Sequence, residues 1–304
     1  MSERITPAMV TSTTLNDLNA TLTAMQRSTD ELSSGKTISE PSNNPYGVSQ
    51  VIDLQSQLEG LSAYEGDAQD GISWENTASN AMQSMSQVAQ RVRELLVQGA
   101  NGTYNQNDLN TMALQVEQLT EGVKQDANTQ YAGQYIFSGT ATTTPPYEQG
   151  ANDEYKGNEE TVSRSVGPGS SVTISTNISQ LLGNGEGSGD GKLLDTLRTV
   201  AKDLRGGTVE DREALGTTDL QKIDGNIETL TELQATAGSA TDQLQTAITR
   251  NEDLQTSISG ALSNIDSTNI ATVSIAYANE QAAYSAALRA GATIVQESLL
   301  NFLS

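Results

Sequence analysis

The sequence predicts a mainly α protein: long antiparallel coiled-coil-like helical rods with paired terminal helices, plus a small β-rich inserted outer domain. Three observations carry this expectation. Apolar residues recur at spacings of three and four along most of the 304 residues, the period of one helix face. The pattern lapses only near residues 134–185, where short alternating runs are bounded by Gly and Pro. Apolar residues make up only 35% of the chain and aromatic residues 4%, too little for a thick core but enough for thin seams between helices.

The elements follow in order. Leu15, Leu18, Leu22, Met25 and Leu32 mark one face of a helix over about 8–34. Gly35 stands where a helix stops. In the following stretch, GKTISEPSNNPYG, Pro41 and Pro45 forbid a continuous helix, and Ser39, Ser42 and Asn43 supply turn chemistry. Helical spacing resumes near Val48 with Val51, Leu54, Leu58 and Leu61. A further helix is predicted over about 67–100 on Ala78, Met82, Met85, Ala89, Val92 and Leu96. The turn NGTYNQND at 101–108 then leads into an antiparallel helix carrying Leu109, Met112, Val116, Leu119 and Val123.

From about 134 the texture is that of strands and loops. QYIFSG, EYKG, TVSRSVG and SVTIST read as short strands, and NGEGSGDG at 184–191 reads as a flexible hinge. Leu193, Leu194, Leu197, Val200, Ala201 and Leu204 return the chain to a helix. Between Leu220 and Ile265 the spacing holds for roughly 45 residues, about 70 Å of helix. Such a helix cannot bury its own seam, so it must lie along 67–131 or along another subunit. Past 269 the phase slips, and Leu288, Ala292, Val295, Leu299 and Phe302 start a new stripe. The expected domains are therefore 1–46 with 270–304 as terminal helices, 47–135 with 186–269 as rods, and 136–185 as the insert.

Composition excludes several functions. A net charge of −22 repels phosphates and anionic lipid, so neither nucleic acid nor membrane is an expected partner. The chain has no Cys and no His, which removes thiol chemistry and the usual general base near neutral pH. No apolar stretch resembles a signal peptide or a membrane span, so a secreted form is expected to leave the cell by another route.

The motif-like features are weak. Gly35-Lys36-Thr37 resembles the end of a phosphate-binding loop, but Asp30 occupies the place of the required glycine and a helix, not a strand, precedes it. Asn184, Glu186, Ser188, Asp190 and Asp195 loosely match a calcium loop with poorly placed charge. A hydrated linker is the better reading, and no metal or cofactor is expected. The carboxylate pairs Asp153/Glu154 and Glu159/Glu160 read as solvated surface. No constellation supports catalysis. The terminal stripes, Leu15, Leu18, Leu22, Met25 and Leu32 with Leu288, Val295, Leu299 and Phe302, follow breaks at both ends. They read as self-assembly surfaces, because isolated short helices are marginal in water.

RITPAMVTSTTLNDL through LSSGKTISEPSNNPYG, and the ending YSAALRAGATIVQESLLNFLS, are similar to the flagellin superfamily, whose members place paired terminal helices inside a tubular filament. QRVRELLVQGANGTYNQNDL, residues 90–109, looks very like the filament subunit's rod. Pro41–Gly47 and QYIFSGTATTTPPYE, 134–148, are closer to the branch that stands between hook and filament. The resemblance implies a structural junction role in the extracellular flagellum and type III export. It implies as partners a ring of copies of this chain, hook-associated protein 1 on the hook side, flagellin on the filament side and a cytoplasmic export chaperone. The filament subunit itself is the alternative. A coiled-coil adhesin, with its binding surface in 140–185, is the alternative outside the structural class.

Overall fold

The computed structural model describes residues 7–38, 40, 44–150, 152–185 and 187–303, with the side chains of 7, 8 and 294–303 left undescribed. The chain forms two compact units: residues 1–60 with 254–304, and residues 61–253.

The chain begins with helix α1 (Pro7–Ser34), followed by α2 (Pro45–Ala100), α3 (Gln106–Ala127) and the strands β1 (Gln130–Tyr131) and β2 (Gln134–Tyr135). Next come β3 (Ser163–Gly167), β4 (Ser170–Thr173), α4 (Ser179–Leu182), α5 (Leu193–Gly206), α6 (Val209–Gly216), α7 (Thr218–Asp266) and α8 (Ile270–Leu303). The mainly α expectation holds, and the β structure is confined to two antiparallel two-stranded sheets.

Local sequence explains the boundaries. Pro45 opens α2, where its missing N–H is harmless. Asn105 and Asp108 form a reciprocal capping box at the start of α3, and Thr208 and Asp211 do the same for α6. Gly207, at φ 63°, ends α5 in the left-handed conformation. Gln106 Nε2 donates to the orphan carbonyls of Leu204 (3.3 Å) and Arg205 (2.9 Å), so the first turn of α3 caps the last turn of α5.

The larger unit holds a continuous apolar core. The stripe Ala78, Met82, Met85, Ala89, Val92 and Leu96 of α2 is buried, together with Leu109, Met112, Val116 and Val123 of α3. Leu193, Leu194, Leu197, Val200, Ala201 and Leu204 of α5 join it. α7 lies antiparallel to α2: a β-carbon at Gly71 would meet Leu244 Cδ1 at 3.0 Å, while Arg93 Nε reaches Asp224 Oδ1 at 2.6 Å. At Gly99 a β-carbon would stand 2.5 Å from Leu204 Cδ2, so the close approach of α5 requires glycine there. Asn251 occupies a seam position of α7, fully buried, because its Nδ2 donates to the Val166 carbonyl of β3 (3.2 Å).

Four expectations change. Residues 62–66 do not interrupt the helix: Gly66 alone costs only about 1 kcal/mol, too little to break a packed helix. QYIFSG forms a strand only at Gln134–Tyr135, and Ile136 and Phe137 turn into the core. EYKG is not a strand. Tyr155 Oη donates to the carbonyls of Phe137 (2.9 Å) and Asn158 (3.1 Å), and Lys156 N donates to Pro146 O (2.9 Å).

The glycine-rich run near 184–191 is the fourth. It is laced to its surroundings rather than hinge-like. Asp190 accepts from the Asn184 and Lys192 amides (3.2 and 2.9 Å), and a β-carbon at Gly185 would stand 2.1 Å from Asp153 Cβ. Asp190 and Asp195 spend oxygens on backbone amides there, and among the described residues no group of three or more acids could hold a metal ion. Glu186 lies outside the described residues.

Asp153 is a further correction. It is buried, not solvated, and joins a network with Lys124 and Arg198. The Lys124 ammonium is fully buried, and its three donors go to Gly150 O (2.6 Å), Asn152 O (3.1 Å) and Asp153 Oδ1 (2.9 Å). Burial pushes the Asp153 carboxyl up, but hydrogen bonds from Arg198 and Lys124 outweigh it and hold the group below the usual range. Arg198 also reaches Glu121 at 2.8 Å, which ties Asp153 to α3 and α5. The partners stand 29 and 45 residues away in the chain, beyond any local pattern.

Candidate self-assembly surface

The smaller unit pairs the two terminal helices. α1 and α8 lie side by side, antiparallel: a β-carbon at Gly291 would meet Thr14 Cγ2 at 3.3 Å, while Lys36 pairs with Ser267 at the opposite end. Half-buried Thr14, Leu18, Leu22, Met25 and Leu32 share the side of α1 that approaches α8. From α8, the half-buried residues are Val273, Ala276, Tyr277, Glu280, Tyr284, Ala287 and Gly291, again one helical face.

The packing is thin. Among the described residues of this unit no apolar side chain is buried. Leu15 is 56% exposed, Leu288 48% and Ile275 64%, and Met9 and Ile270 also face outward. Glu280 Oε2 is shut from solvent without a hydrogen-bond partner among the described residues, a penalty carried by the pair itself. Of the residues singled out from sequence, Leu18, Leu22, Met25 and Leu32 line the helix pair, and Leu15 and Leu288 stand outside it. Val295, Leu299 and Phe302 lie outside the described side chains. Sequence reasoning missed Tyr277, Tyr284, Ile270 and Ile275. The seven-residue spacing of Ile270, Tyr277 and Tyr284 was the available signal, obscured by the density of alanine in α8.

The two breaks that bound the terminal helices, after α1 and before α8, meet each other. Gly35, at φ 71°, turns the chain out of α1. Thr37 N donates to Asp266 O (2.7 Å), and Thr268 N donates to Gly35 O (3.0 Å), a short antiparallel stitch. The Asp266 side chain is buried: Oδ1 accepts from Ile38 N (3.3 Å), and Oδ2 stands 3.6 Å from Lys36 Nζ. The ion pair compensates for a carboxylate at a helix C-terminus, where the helix dipole disfavours it. Asn269 then caps α8 through Thr272 N (3.2 Å). Gly47 completes the joint, since a β-carbon there would meet Asn44 Nδ2 and Ile38 Cδ1 within 2.4 and 2.7 Å. Lys36 thus has a structural role, and the phosphate-loop resemblance of Gly35–Thr37 dissolves. Ser39, Pro41, Ser42 and Asn43 lie outside the described residues. Among the described residues, no helix is long and apolar enough to cross a membrane.

The segment of residues 5–142 matches the bacterial flagellin N-terminal helical region. It is 33% identical over 141 residues to a flagellin of Salmonella muenchen; the match spans 46% of this chain and 28% of that flagellin's own length. About three quarters of the chain shares its fold with solved hook-associated structures. A Vibrio parahaemolyticus chain assigned as a flagellar hook-associated protein superposes with a TM-score of 0.66 at 15% identity, over 74% of this chain and 100% of that one. The flagellar junction protein FlgL of Legionella pneumophila does so with a TM-score of 0.56 at 15% identity, over 72% and 100%.

Proposed function

We propose that this protein is a structural component of the bacterial flagellum that joins hook to filament, the role of hook-associated protein 3. The observation that carries the proposal is the α1/α8 pair, which is formed yet leaves every apolar side chain described in it half-buried or exposed. Neighbouring copies in a ring complete those faces. Fold likeness to hook-associated and junction proteins supports the junction role. Hook-associated protein 1 on one side, flagellin on the other and an export chaperone that covers α8 before secretion are the partners this reading requires. It places the working protein outside the cell, exported through the flagellar type III apparatus, with no catalytic function.

A strain in which Leu15 and Leu288, the leucines that stand outside the helix pair, are both replaced by Asp tests the surface. The account expects loss of incorporation and motility, because unpaired charge in an apolar contact is costly, with the helicity of 61–253 retained in circular dichroism. Normal incorporation contradicts it. The identity of the N-terminal region to flagellin favours a second reading, a filament subunit. Immunogold labelling of intact cells separates the two: label confined to the hook–filament boundary supports the junction, and label along the whole filament supports the subunit.

A further inference from the structure

Unit 61–253 contains a cavity of about 580 Å³ between α2, the β3–β4 hairpin with the segment after it, and α7. Its volume is that of a small-molecule site, and its lining is unusual. Ser171, Thr173, Ser175, Thr176, Thr236 and Ser239 supply hydroxyls, and Ala237 and Ala240 give the α7 wall its small profile.

Glu75, on α2, is the only titratable side chain in that lining. It is 2% exposed, and its Oε2 has no hydrogen-bond partner among the described residues. A buried carboxyl without a partner is expensive. It either keeps its proton or meets a cation. Burial alone pushes Glu75 up to about 8, so without a cation beside it the group keeps its proton at neutral pH. Among the described residues no cation of the chain pairs with it. Arg164 is committed to Asp70 at 2.8 Å and lies over the Trp74 ring, while Arg250 and Asp242 belong to the adjoining cleft beyond Ser239 and Gln243.

We propose that this cavity is a binding site for a primary alkylammonium group, whose charge is met by Glu75 and whose N–H donors are met by the surrounding hydroxyl oxygens. An ammonium has three donors and no acceptor, and the lining offers several oxygens in addition to one carboxylate. The protein's net charge of −22 draws cations to it. On binding, Glu75 loses its proton to solvent and the ammonium takes the proton's place as the neutralising charge. Two sources share this chemistry: a free diamine, or a lysine side chain of another protein.

The test is isothermal titration of the full-length protein at pH 7 in two buffers of different ionisation enthalpy. The probes are 1,4-diaminobutane and Nα-acetyl-lysine amide, with tetramethylammonium at equal ionic strength as the control. The proposal expects saturable one-to-one binding with release approaching one proton, and at least tenfold weaker binding by Glu75→Gln. Ser239→Phe, a change on an exposed helical surface at the rim, must also block it, which guards against a folding defect at Glu75. Preference for the diamine identifies a free ligand, and preference for the lysine amide identifies a protein side chain; either supports the site. No saturable binding, equal binding by Glu75→Gln, or full competition by tetramethylammonium overturns it. None of these results bears on the junction role, which the terminal helices carry.

Discussion

Residues 61–253 and the paired ends, 1–60 with 254–304, are both largely helical, yet they solve burial differently. The first closes a core in which Trp74, Met82, Leu96, Phe137, Leu197 and Ile223 are all shielded from water. The second, among its described residues, buries no apolar side chain, only Ser28 and Asp266 besides glycine. Helix propensity does not separate them. What differs is the number of layers: α2, α3, α5, α7 and the insert surround a common interior, whereas α1 and α8 pair as two helices. A two-helix seam covers one side of each helix and leaves the rest to solvent, so its stability depends on what is added from outside. The difference teaches that the larger unit is built to fold alone and the smaller one to be finished by assembly.

The comparison is broken most severely at Asp153. Asp153→Ala strands the buried Lys124 ammonium and Arg198 without their shared carboxylate, and should destabilise the unit by about 3–5 kcal/mol, read from denaturant unfolding. Next comes a matched pair of truncations. Leu197→Ala, in the closed core, should cost about 2–5 kcal/mol. Leu22→Ala, in the half-buried seam, should leave that transition within about 0.5 kcal/mol and weaken assembly instead. Equal effects on the global transition would erase the distinction.

Proton linkage sharpens it further. Glu75 is raised to about 8 by burial, and Asp203 to about 6 by burial and the neighbouring Asp219 carboxylate. For groups raised in the folded state, the stabilising contribution is complete below the unfolded value, about 4. It is lost as pH rises through the folded value. The core unit should therefore lose melting temperature between pH 5 and 8, and Glu75→Gln should flatten the upper part of that slope. A slope unchanged in the variant would remove Glu75 from the explanation. The most local effect is expected at the joint: Gly35→Ala, forced to φ near +71°, should cost about 1–2 kcal/mol there. It should speed amide exchange in 30–38 and 264–272 without moving the melting of the core.

Much of this division was legible in the sequence. Stripes such as Ala78–Leu96 and Leu193–Leu204 have the period of a buried face, and that period depends on neighbours three and four residues away. Gly35 and the phase slip past 269 marked the two breaks for the same reason. Their stitch was not legible, because Thr37 and Asp266 are 229 residues apart and neither carries an apolar signal. Lys124 and Asp153 were hidden for a related reason: a buried ion pair looks like two surface residues until the fold brings them together. In the terminal helices the apolar period was read from Leu15 and Leu288, yet the tightest approach uses Thr14 and Gly291, small residues that hydrophobicity does not flag. α6 escaped notice because it is eight residues long, below what periodicity resolves.

Hydrogen exchange followed by mass spectrometry, on the purified monomer and on the assembled form, addresses the contrast directly. In the monomer, amides in 9–34 and 270–293 should exchange orders of magnitude faster than those in 78–96 and 223–248, and assembly should slow the terminal helices towards the core rate. Terminal helices already as protected in the monomer as the core, with no change on assembly, would contradict the claim that copies of the chain complete them.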